Sequence, residues 1–357
     1  MKTIYEIRKD LHKIPEIGFN EFKTKNYILN YLKGRDLEIF EFAKTGISVY
    51  FNFNKSKTIC LRVELDALPI KEENNLTYKS IHPTMMHACG HDGHMAILLS
   101  LIDDICERKV KSTYNILFLF QPSEEITGGS LEVIRSGVLE KYNVEEIYAL
   151  HIWPKLEKGK IFTRKELLSE PIEVDFEIRG KSSHVASYKE GKDALYTGIE
   201  LLHDIKKETD LIGNTIFHIG EVFAYGQRNI VCDNFLSKGT IRVFDDNSKN
   251  SIIKIIEKHR KRLKKQYHLE INVNYNHSLF PLINTQDLIN KSLEYGVKLL
   301  EKPYFHSEDF SLYLKKIKGV YFLLGGGDIP PLHSSNFNFD EDILNVGKEL
   351  FIKVLTN

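Results

Sequence analysis

The sequence lacks three features that would assign it to other protein classes: excess charge of one sign, a long apolar run and densely spaced cysteines. Its 357 residues contain 49 Lys plus Arg and 49 Asp plus Glu, so the formal net charge is zero. This balance argues against nucleic acid or an anionic membrane as a partner. No apolar run reaches the roughly 18 residues that a membrane-spanning helix needs, and the charged, amphipathic N-terminus is unlike a signal peptide.

Cysteine is scarce and scattered. The four cysteines are Cys60, Cys89, Cys106 and Cys232. A secreted scaffold held by disulfides would be denser in cysteine. We therefore expect a reducing, cytoplasmic compartment, where a thiolate is free to bind a metal.

Short apolar segments alternate with helical ones along the two ends of the chain. Helical spacing predicts helices at 4–11, about 20–33, 95–108 and 130–140, and near-continuous apolar runs predict strands at 58–65, 114–120, 146–152 and 319–324. Such runs are typical of strands that are buried on both faces of a largely parallel sheet. The alternation predicts an α/β fold with helices on both faces of the sheet.

The middle of the chain has a different order of elements. The pattern predicts strands at 172–178, about 215–223, about 234–243 and 268–275, with helices at about 191–207 and 247–266. The order β-α-β-β-α-β is ferredoxin-like. The sequence therefore predicts an inserted domain at 171–280 within a discontinuous α/β domain at 1–170 and 281–357, and the chain is long enough for both.

The densest group of potential metal ligands is HACGHDGH at 87–94. Four of the 14 histidines lie between His82 and His94. Cys89 and His91 flank a glycine, which allows a tight turn that directs both side chains to one ion. Thiolate, imidazole and carboxylate groups suit zinc and similar divalent metals. We expect a metal site here, with Asp92 as an orienting neighbour; a polar loop before a helix is the alternative.

Further polar side chains follow predicted strands. Asp66, the pair Glu124 and Glu125, His151 and His333 all fall near strand ends. Ligands of open α/β sheets bind outside the carboxyl ends of the strands. We therefore expect these residues to meet at one edge of the sheet, with Asp66 as a second orienting neighbour of the ligands. A Gly-rich stretch at 325–327 is expected to form a loop that carries His333.

The two adjacent glutamates need different roles because neighbouring carboxylates repel each other. One can bind the metal while the other removes a proton from a metal-bound water and later protonates the leaving amine. Glycoside hydrolysis also uses two carboxylates. That alternative is disfavoured because adjacent residues rarely lie on opposite sides of a scissile bond and because it leaves the cysteine and histidines unused.

Nine motifs resemble the M20 metallopeptidase family, specifically its amidohydrolase branch, which includes hippurate hydrolases, N-acyl-amino-acid amidohydrolases and N-acetyldiaminopimelate deacetylases. They are RKDLHKIPEIGFNE (8–21), LRVELDALPI (61–70), HACGHDGH (87–94), QPSEE (121–125), ALHIWP (149–154), GKSSHVA (180–186), GTIR (239–242), SEDF (307–310) and LHSS (332–335). The motifs cover nearly the whole chain in order, and EIGFNEFKT (16–24) is most similar to the N-acetyldiaminopimelate deacetylases.

The resemblance implies a role for each matching residue. Cys89, His91, Glu125, His151 and His333 would bind two divalent metal ions (Zn²⁺, Mn²⁺, Co²⁺ or Ni²⁺), with Glu124 as general base and acid. The inserted domain would be a lid that forms a homodimer, and its His184 would stabilise the oxyanion. Asn229 and Arg242 would contact the substrate, Arg242 by holding a carboxylate. From the residues alone, a histidine such as His184 is more often a structural loop residue, and an arginine at a strand end such as Arg242 is similarly more often part of a surface ion pair.

The resemblance implies a metal-dependent amidohydrolase of N-acyl amino acids, including N-acetyldiaminopimelate as a candidate substrate. A dipeptidase or carboxypeptidase on the same fold is the enzymatic alternative, and a non-catalytic binding protein is the other. The segment at 229–232 lacks the proline usual in the family, and the lid motif at 180–188 also differs, so the substrate stays open. SEDF at 307–310 has two interpretations: a helix start capped by Ser307, or a segment near the site.

Overall fold

The computed structural model describes residues 1–126, 128–277 and 279–357. The helices are α1 (Ile4–His12), α2 (Phe22–Leu32), α3 (His91–Cys106), α4 (Gly129–Arg135), α5 (Val138–Lys141), α6 (Ala194–Thr209), α7 (Asp246–Tyr267), α8 (Gln286–Leu293), α9 (Ser311–Leu314) and α10 (Ile343–Thr356), with a 3₁₀ helix at Val185–Glu190. In the part of the chain that is described, no helix combines the length and apolarity needed to cross a membrane.

The strands are β1 (Glu38–Phe42), β2 (Gly46–Phe51), β3 (Thr58–Glu64), β4 (Asn115–Gln121), β5 (Val144–Pro154), β6 (Ile161–Thr163), β7 (Glu166–Leu168), β8 (Glu170–Arg179), β9 (Ile216–Phe223), β10 (Asn234–Val243), β11 (Glu270–His277), β12 (Leu282–Ile283), β13 (Lys298–Leu299) and β14 (Lys318–Gly327). They form an eight-stranded sheet, a four-stranded sheet and the pair β7 and β12.

The first compact unit comprises Met1–Leu167, Ile283–Lys302 and Asp309–Asn357. Its sheet has the order β1-β2-β4-β3-β5-β14-β6-β13, and β4, β3, β5 and β14 run parallel. Every residue of β3 and β4 is buried, because their side chains have no solvent-facing side in the sheet. The α/β fold is confirmed, with the carboxyl ends of four adjacent parallel strands at one edge.

Three local predictions differ from the structure. The helix expected from Met95 already begins at His91, after Gly90 with φ +88°. The helix expected at 130–140 is divided into α4 and α5 at Gly137, whose φ of +71° no helix accommodates. The glycines at 325–327, expected in a loop, belong to β14. At Gly325 the absence of a side chain lets the backbone at Glu157 approach closely, because a Cβ there would lie 2.1 Å from the Glu157 carbonyl oxygen.

The second compact unit comprises Leu168–Leu282 and Pro303–Glu308. Its elements follow the order β8-α6-β9-β10-α7-β11, and its antiparallel sheet has the strand order β11-β8-β10-β9. This confirms the ferredoxin-like pattern. β8 alternates between buried and less buried residues because only one face of this sheet packs against α6 and α7. The segment Pro303–Glu308 joins this unit, although the sequence predicted it to lie in the α/β domain.

Candidate metal centre

The first unit gathers Cys89, His91, Glu125, His151 and His333 at the carboxyl edge of its parallel strands. Each ligand atom in two overlapping groups lies within 4.8 Å of the others in its group: Cys89, His91 and His151 form one group, and Cys89, Glu125 and His333 form the other. Because Cys89 is common to both groups, the five side chains surround one region. Glu124 lies there too, in a further group with His91 and Glu125.

Three structural elements hold the first of these groups. Cys89 lies in the turn immediately before α3, and His91 is the first residue of that helix. His151 lies near the end of β5, and its Nε2 is 3.2 Å from the Cys89 Sγ. The His151 Nδ1 lies 2.7 Å from the main-chain oxygen of Ile152. A proton on Nδ1 donated to that oxygen leaves the Nε2 lone pair directed at the cysteine.

The second group depends on two loops. Glu125 follows β4, and its main-chain N–H donates to Asp66 Oδ2 at 2.9 Å. His333 follows β14, and its N–H donates to the main-chain oxygen of Ala88 at 2.9 Å, which ties this loop to the segment before Cys89. The His333 Nε2 lies 3.3 Å from Glu125 Oε1. The backbone of His333 is left-handed, with φ +64°, which is a strained conformation for a residue with a side chain.

The electrostatics of the group suit a bound cation. Burial and the negative charges of Glu125 and Glu124 raise the pKa of the Cys89 thiol well above its usual range. Burial lowers the pKa of His91, but the hydrogen bond to Asp66 and the charge of Glu64 outweigh it and raise that pKa to about 10. A divalent cation would reverse the effect at the thiol, because it stabilises the thiolate.

One atom that faces this group lacks a hydrogen-bond partner. Among the described residues, the buried His91 Nε2 makes no hydrogen bond. A buried polar atom without a partner is costly, so it indicates a missing ligand or water. One sulfur, three imidazole nitrogens and a carboxylate are also the donors that zinc and related divalent metals accept. The side chains therefore fit a divalent metal centre.

His94 lies beside these residues but is already saturated by protein contacts. Its ring centroid is 4.7 Å from that of His151 and 5.6 Å from that of His91. Its Nδ1 is 2.8 Å from Glu64 Oε2, and its Nε2 accepts the main-chain N–H of Ile152 at 3.1 Å. With both nitrogens engaged, His94 has no lone pair for a metal. His94 is not among the residues for which the sequence predicts a role, although it lies in HACGHDGH, the densest group of potential ligands.

The two aspartates expected to orient ligands have different surroundings. Asp66 contacts the predicted ligands directly, because its main-chain oxygen lies 2.8 Å from His91 Nδ1 and its carboxylate accepts the N–H of Glu125. The Asp92 carboxylate instead lies 2.8 Å from His12 Nδ1 and accepts a hydrogen bond from Arg8 Nε at 3.2 Å, both on α1. Asp92 thus links α3 to α1, and its orienting role stays a prediction.

The capping interpretation of SEDF is wrong. The nearest helix, α9, begins at Ser311, so Ser307 caps no helix. Asp309 is buried and accepts hydrogen bonds from Arg62 Nη2 at 2.8 Å and from Gln121 Nε2 at 2.8 and 2.9 Å. This carboxylate therefore pairs with the charge of a buried arginine in the core of the first unit. The two residues are so far apart in sequence that no local pattern could predict their contact.

The second unit places His184 and Asn229 on neighbouring segments. The N–H of Val185 donates to the main-chain oxygen of Asn229 at 2.8 Å, and the N–H of Val231 donates to the main-chain oxygen of Ser183 at 2.9 Å. His184 is exposed, and its Nδ1 accepts the N–H of Ala186 at 3.1 Å. This main-chain pairing brings together two residues that are 45 positions apart in the chain.

Arg242 lies on β10 of the same unit. It is partly buried, and its Nη1 donates to Ser307 Oγ at 3.3 Å. Burial lowers the pKa of this guanidinium, an effect that Glu173 partly opposes. An arginine with so few anionic neighbours can bind an acidic group.

Comparison with known proteins identifies relatives over almost the entire chain. Residues 60–357 match the model of peptidase family M20/M25/M40. The chain is 34% identical to an N-acetyldiaminopimelate deacetylase of Bacillus velezensis, covering 98% of this chain and 97% of that protein, and 33% identical to an N-acetyldiaminopimelate deacetylase of Bacillus subtilis, covering 96% and 95%. The crystal structure of a dinuclear metal-binding M20 peptidase from Bacillus subtilis matches with a TM-score of 0.87 and 25% identity, covering 99% of this chain and 96% of that one.

Proposed function

Because this chain belongs to peptidase family M20/M25/M40 and is a hydrolase of that family, we propose that it is a two-metal amidohydrolase that cleaves N-acyl amino acids, with N-acetyldiaminopimelate as the first substrate to test. The observation that supports this most strongly is that Cys89, His91, Glu125, His151 and His333 cluster beside Glu124, the cysteine and the first two histidines being buried. The deacetylase names of the two relatives favour an acetyl group.

The five ligand candidates would hold two divalent ions. When bound, such ions polarise a carbonyl and lower the pKa of a water molecule. The protein fixes the donors in advance: Asp66 holds both His91 and the backbone of Glu125, and the Ile152 oxygen sets the orientation of His151. The donor set does not select one metal, since zinc, manganese, cobalt and nickel all accept this mixture of sulfur, nitrogen and oxygen.

Glu124 would move the proton that amide hydrolysis requires. Its carboxylate takes a proton from the attacking water and delivers it to the amine nitrogen as the C–N bond breaks. Glu125 is the ligand of the pair and Glu124 the base, an arrangement in which the cations screen the repulsion between the two carboxylates.

Residues of the second unit would handle the substrate. We assign His184 to the developing oxyanion, to which its imidazole would donate a hydrogen bond. Asn229, which is adjacent to His184, would contact the acyl amino acid, and Arg242 would hold a carboxylate of the amino acid part. All amino acid products carry such a carboxylate, so Arg242 would contribute to affinity and much less to the choice among them.

A homodimer formed through the second unit also belongs to this proposal. β9 is an edge strand of the four-stranded sheet, and its Val222 side chain and the nearby Tyr225 are 52% and 79% exposed. An open edge with apolar side chains is a natural pairing surface for a second copy. Val222→Lys should shift the mass measured by light scattering from dimer to monomer. An unaltered mass would argue against β9 as the interface.

The substrate can be tested directly. Purified protein kept under reducing conditions is treated with a chelator, reloaded separately with Zn²⁺, Mn²⁺, Co²⁺ or Ni²⁺, and assayed on N-acetyldiaminopimelate, on N-acetyl and N-benzoyl amino acids and on unblocked dipeptides. We expect acetate release from N-acetyl substrates only after metal is restored. Faster cleavage of free dipeptides would favour the dipeptidase alternative, and equal activity of the chelated protein would refute metal dependence.

A further inference from the structure

The backbone turn that carries Glu124 is held by two buried carboxylates. Glu21 Oε1 accepts the main-chain N–H of Ser123 at 2.8 Å, one residue before Glu124. Asp66 Oδ2 accepts the main-chain N–H of Glu125 at 2.9 Å, one residue after it. Both carboxylates are completely buried. The peptide segment that carries Glu124 is therefore fixed from both sides by side chains distant in sequence.

Glu21 is fixed in its own position by a second contact. The Thr45 hydroxyl, in the turn between β1 and β2, donates to Glu21 Oε2 at 2.6 Å. Burial raises the pKa of the Glu21 carboxyl, and the charge of Asp66 raises it further. Burying a carboxyl group is unfavourable unless hydrogen bonds compensate, and here one of those hydrogen bonds comes from the backbone beside Glu124.

Ser123 needs such support because its backbone is strained. Its φ is +51°, in the left-handed region that side chains disfavour. Strained conformations persist only where the surroundings determine them strongly, and they concentrate at functional sites. Among the described residues its buried Oγ has no hydrogen-bond partner, so the side chain does not stabilise the turn itself.

Close packing restricts the same turn from two further directions. A Cβ on Gly18 would lie 2.5 Å from Ser123 Oγ and 2.9 Å from its Cα, and a Cβ on Gly129 would lie 1.8 Å from the Pro122 oxygen. Distances below 3.0 Å are incompatible with a side chain. Gly18 and Glu21 belong to one loop before α2, so this loop supplies both a surface against the turn and the acceptor that holds its amide.

We propose that Glu21 is a positioning residue for Glu124. Its carboxylate holds the Ser123 amide and thereby sets the direction in which the Glu124 side chain projects from the backbone. This inference rests on the proposed function of Glu124 as general base. Glu21 does not contact the substrate; it acts through the backbone. A shift of about 1 Å in a catalytic group can reduce turnover by about 100-fold.

The test compares Glu21→Ala, Glu21→Gln and the control Glu16→Ala. Glu16 is a second carboxylate in the same segment, but it accepts the N–H groups of Lys23 and Thr24 at the start of α2. We expect Glu21→Ala to lower kcat by about 10- to 100-fold with KM and metal content close to wild type. Glu21→Gln should recover most of the kcat, since its amide oxygen can still accept the Ser123 N–H. Glu16→Ala should retain the wild-type kcat.

Amide hydrogen exchange of the peptide that contains Ser123 provides a readout independent of activity. Exchange should accelerate in Glu21→Ala and stay slow in Glu21→Gln and Glu16→Ala. Wild-type exchange or wild-type kcat in Glu21→Ala would overturn the proposal, as would a Gln variant as impaired as the Ala variant. Loss of metal in Glu21→Ala would assign Glu21 to the metal centre instead. If Glu124→Gln retained turnover while Glu21→Ala lost it, the assignment of the base would fail.

Discussion

The two compact units hold their candidate functional residues by different means. In the first unit, most of the predicted ligands are buried and are fixed by hydrogen bonds to groups such as Asp66 and the Ile152 carbonyl. In the second unit, His184 and Asn229 are exposed and are positioned by main-chain pairing, to which the hydrogen bond from the Ala186 N–H to His184 Nδ1 adds one side-chain contact. Buried, multiply bonded groups cannot change without cost to the fold, whereas exposed residues can change freely. Changes in the second unit are therefore expected to disturb the fold and the candidate metal centre less than changes in the first.

The largest effect should follow from removing the proposed base, Glu124, in the first unit. Glu124→Gln should lower kcat by about 10²- to 10⁴-fold, the contribution typical of general acid–base catalysis. Metal content, measured by elemental analysis, should stay at the wild-type level. Glu140→Gln, an exposed position on α5, is the matched control and should be fully active. Loss of metal together with activity would mean that Glu124 is a ligand.

A somewhat smaller effect is expected when a ligand candidate changes. Cys89→Ser should weaken metal binding by at least about 10- to 100-fold, the loss that is typical when a residue that hydrogen-bonds to a metal ligand is changed. Activity should recover partly at high metal concentration. Competition with a metal indicator would measure the affinity. Cys106→Ser, at an exposed cysteine, should bind metal like the wild type. Equal affinity in both variants would remove Cys89 from the centre.

The comparison is sharpened by a variant of the second unit. His184→Ala should lower kcat by about 100-fold, as expected for the loss of one oxyanion donor, while metal affinity and melting temperature remain unchanged because His184 is exposed. His203→Ala, at another exposed histidine on α6, serves as the control. Unchanged kinetics in His184→Ala would leave this residue with a structural role only.

The smallest effect concerns stability rather than catalysis. Burial lowers the pKa of His12, but its hydrogen bonds to Asp92 and Glu72 outweigh this and raise the pKa to about 9. Because folding raises this pKa, the contribution of His12 to the free energy of unfolding is complete below about pH 6.5. It disappears as the pH rises to about 9, a change of about 3 kcal/mol. The melting temperature should therefore fall less between these pH values in His12→Gln than in the wild type. Identical pH profiles would contradict the prediction.

The buried strands of this protein are easier to predict from the sequence than its edge strands. β3, β4 and β5 consist of nearly unbroken apolar runs, so their existence follows from composition. β1 was missed because most of its residues are exposed at the edge of the sheet, and β2 was missed although its first four residues are buried. α10 was also missed, although its buried residues recur at helical spacing. The division between α4 and α5 depends on one glycine conformation, which composition alone does not fix.

By itself, the sequence determined the α/β class, the ferredoxin-like insertion and the residue types suited to a divalent metal, because these depend on local periodicity and ligand chemistry. Only the tertiary structure decided which polar groups are already satisfied. It engages both nitrogens of His94, bonds the Asp92 carboxylate to His12 of α1 and pairs Asp309 with Arg62. It also brings Glu21 to the turn at Ser123. These partners lie 30 to 247 positions apart, and hydrogen bonds of such range arise only when the packed sheet brings distant segments together.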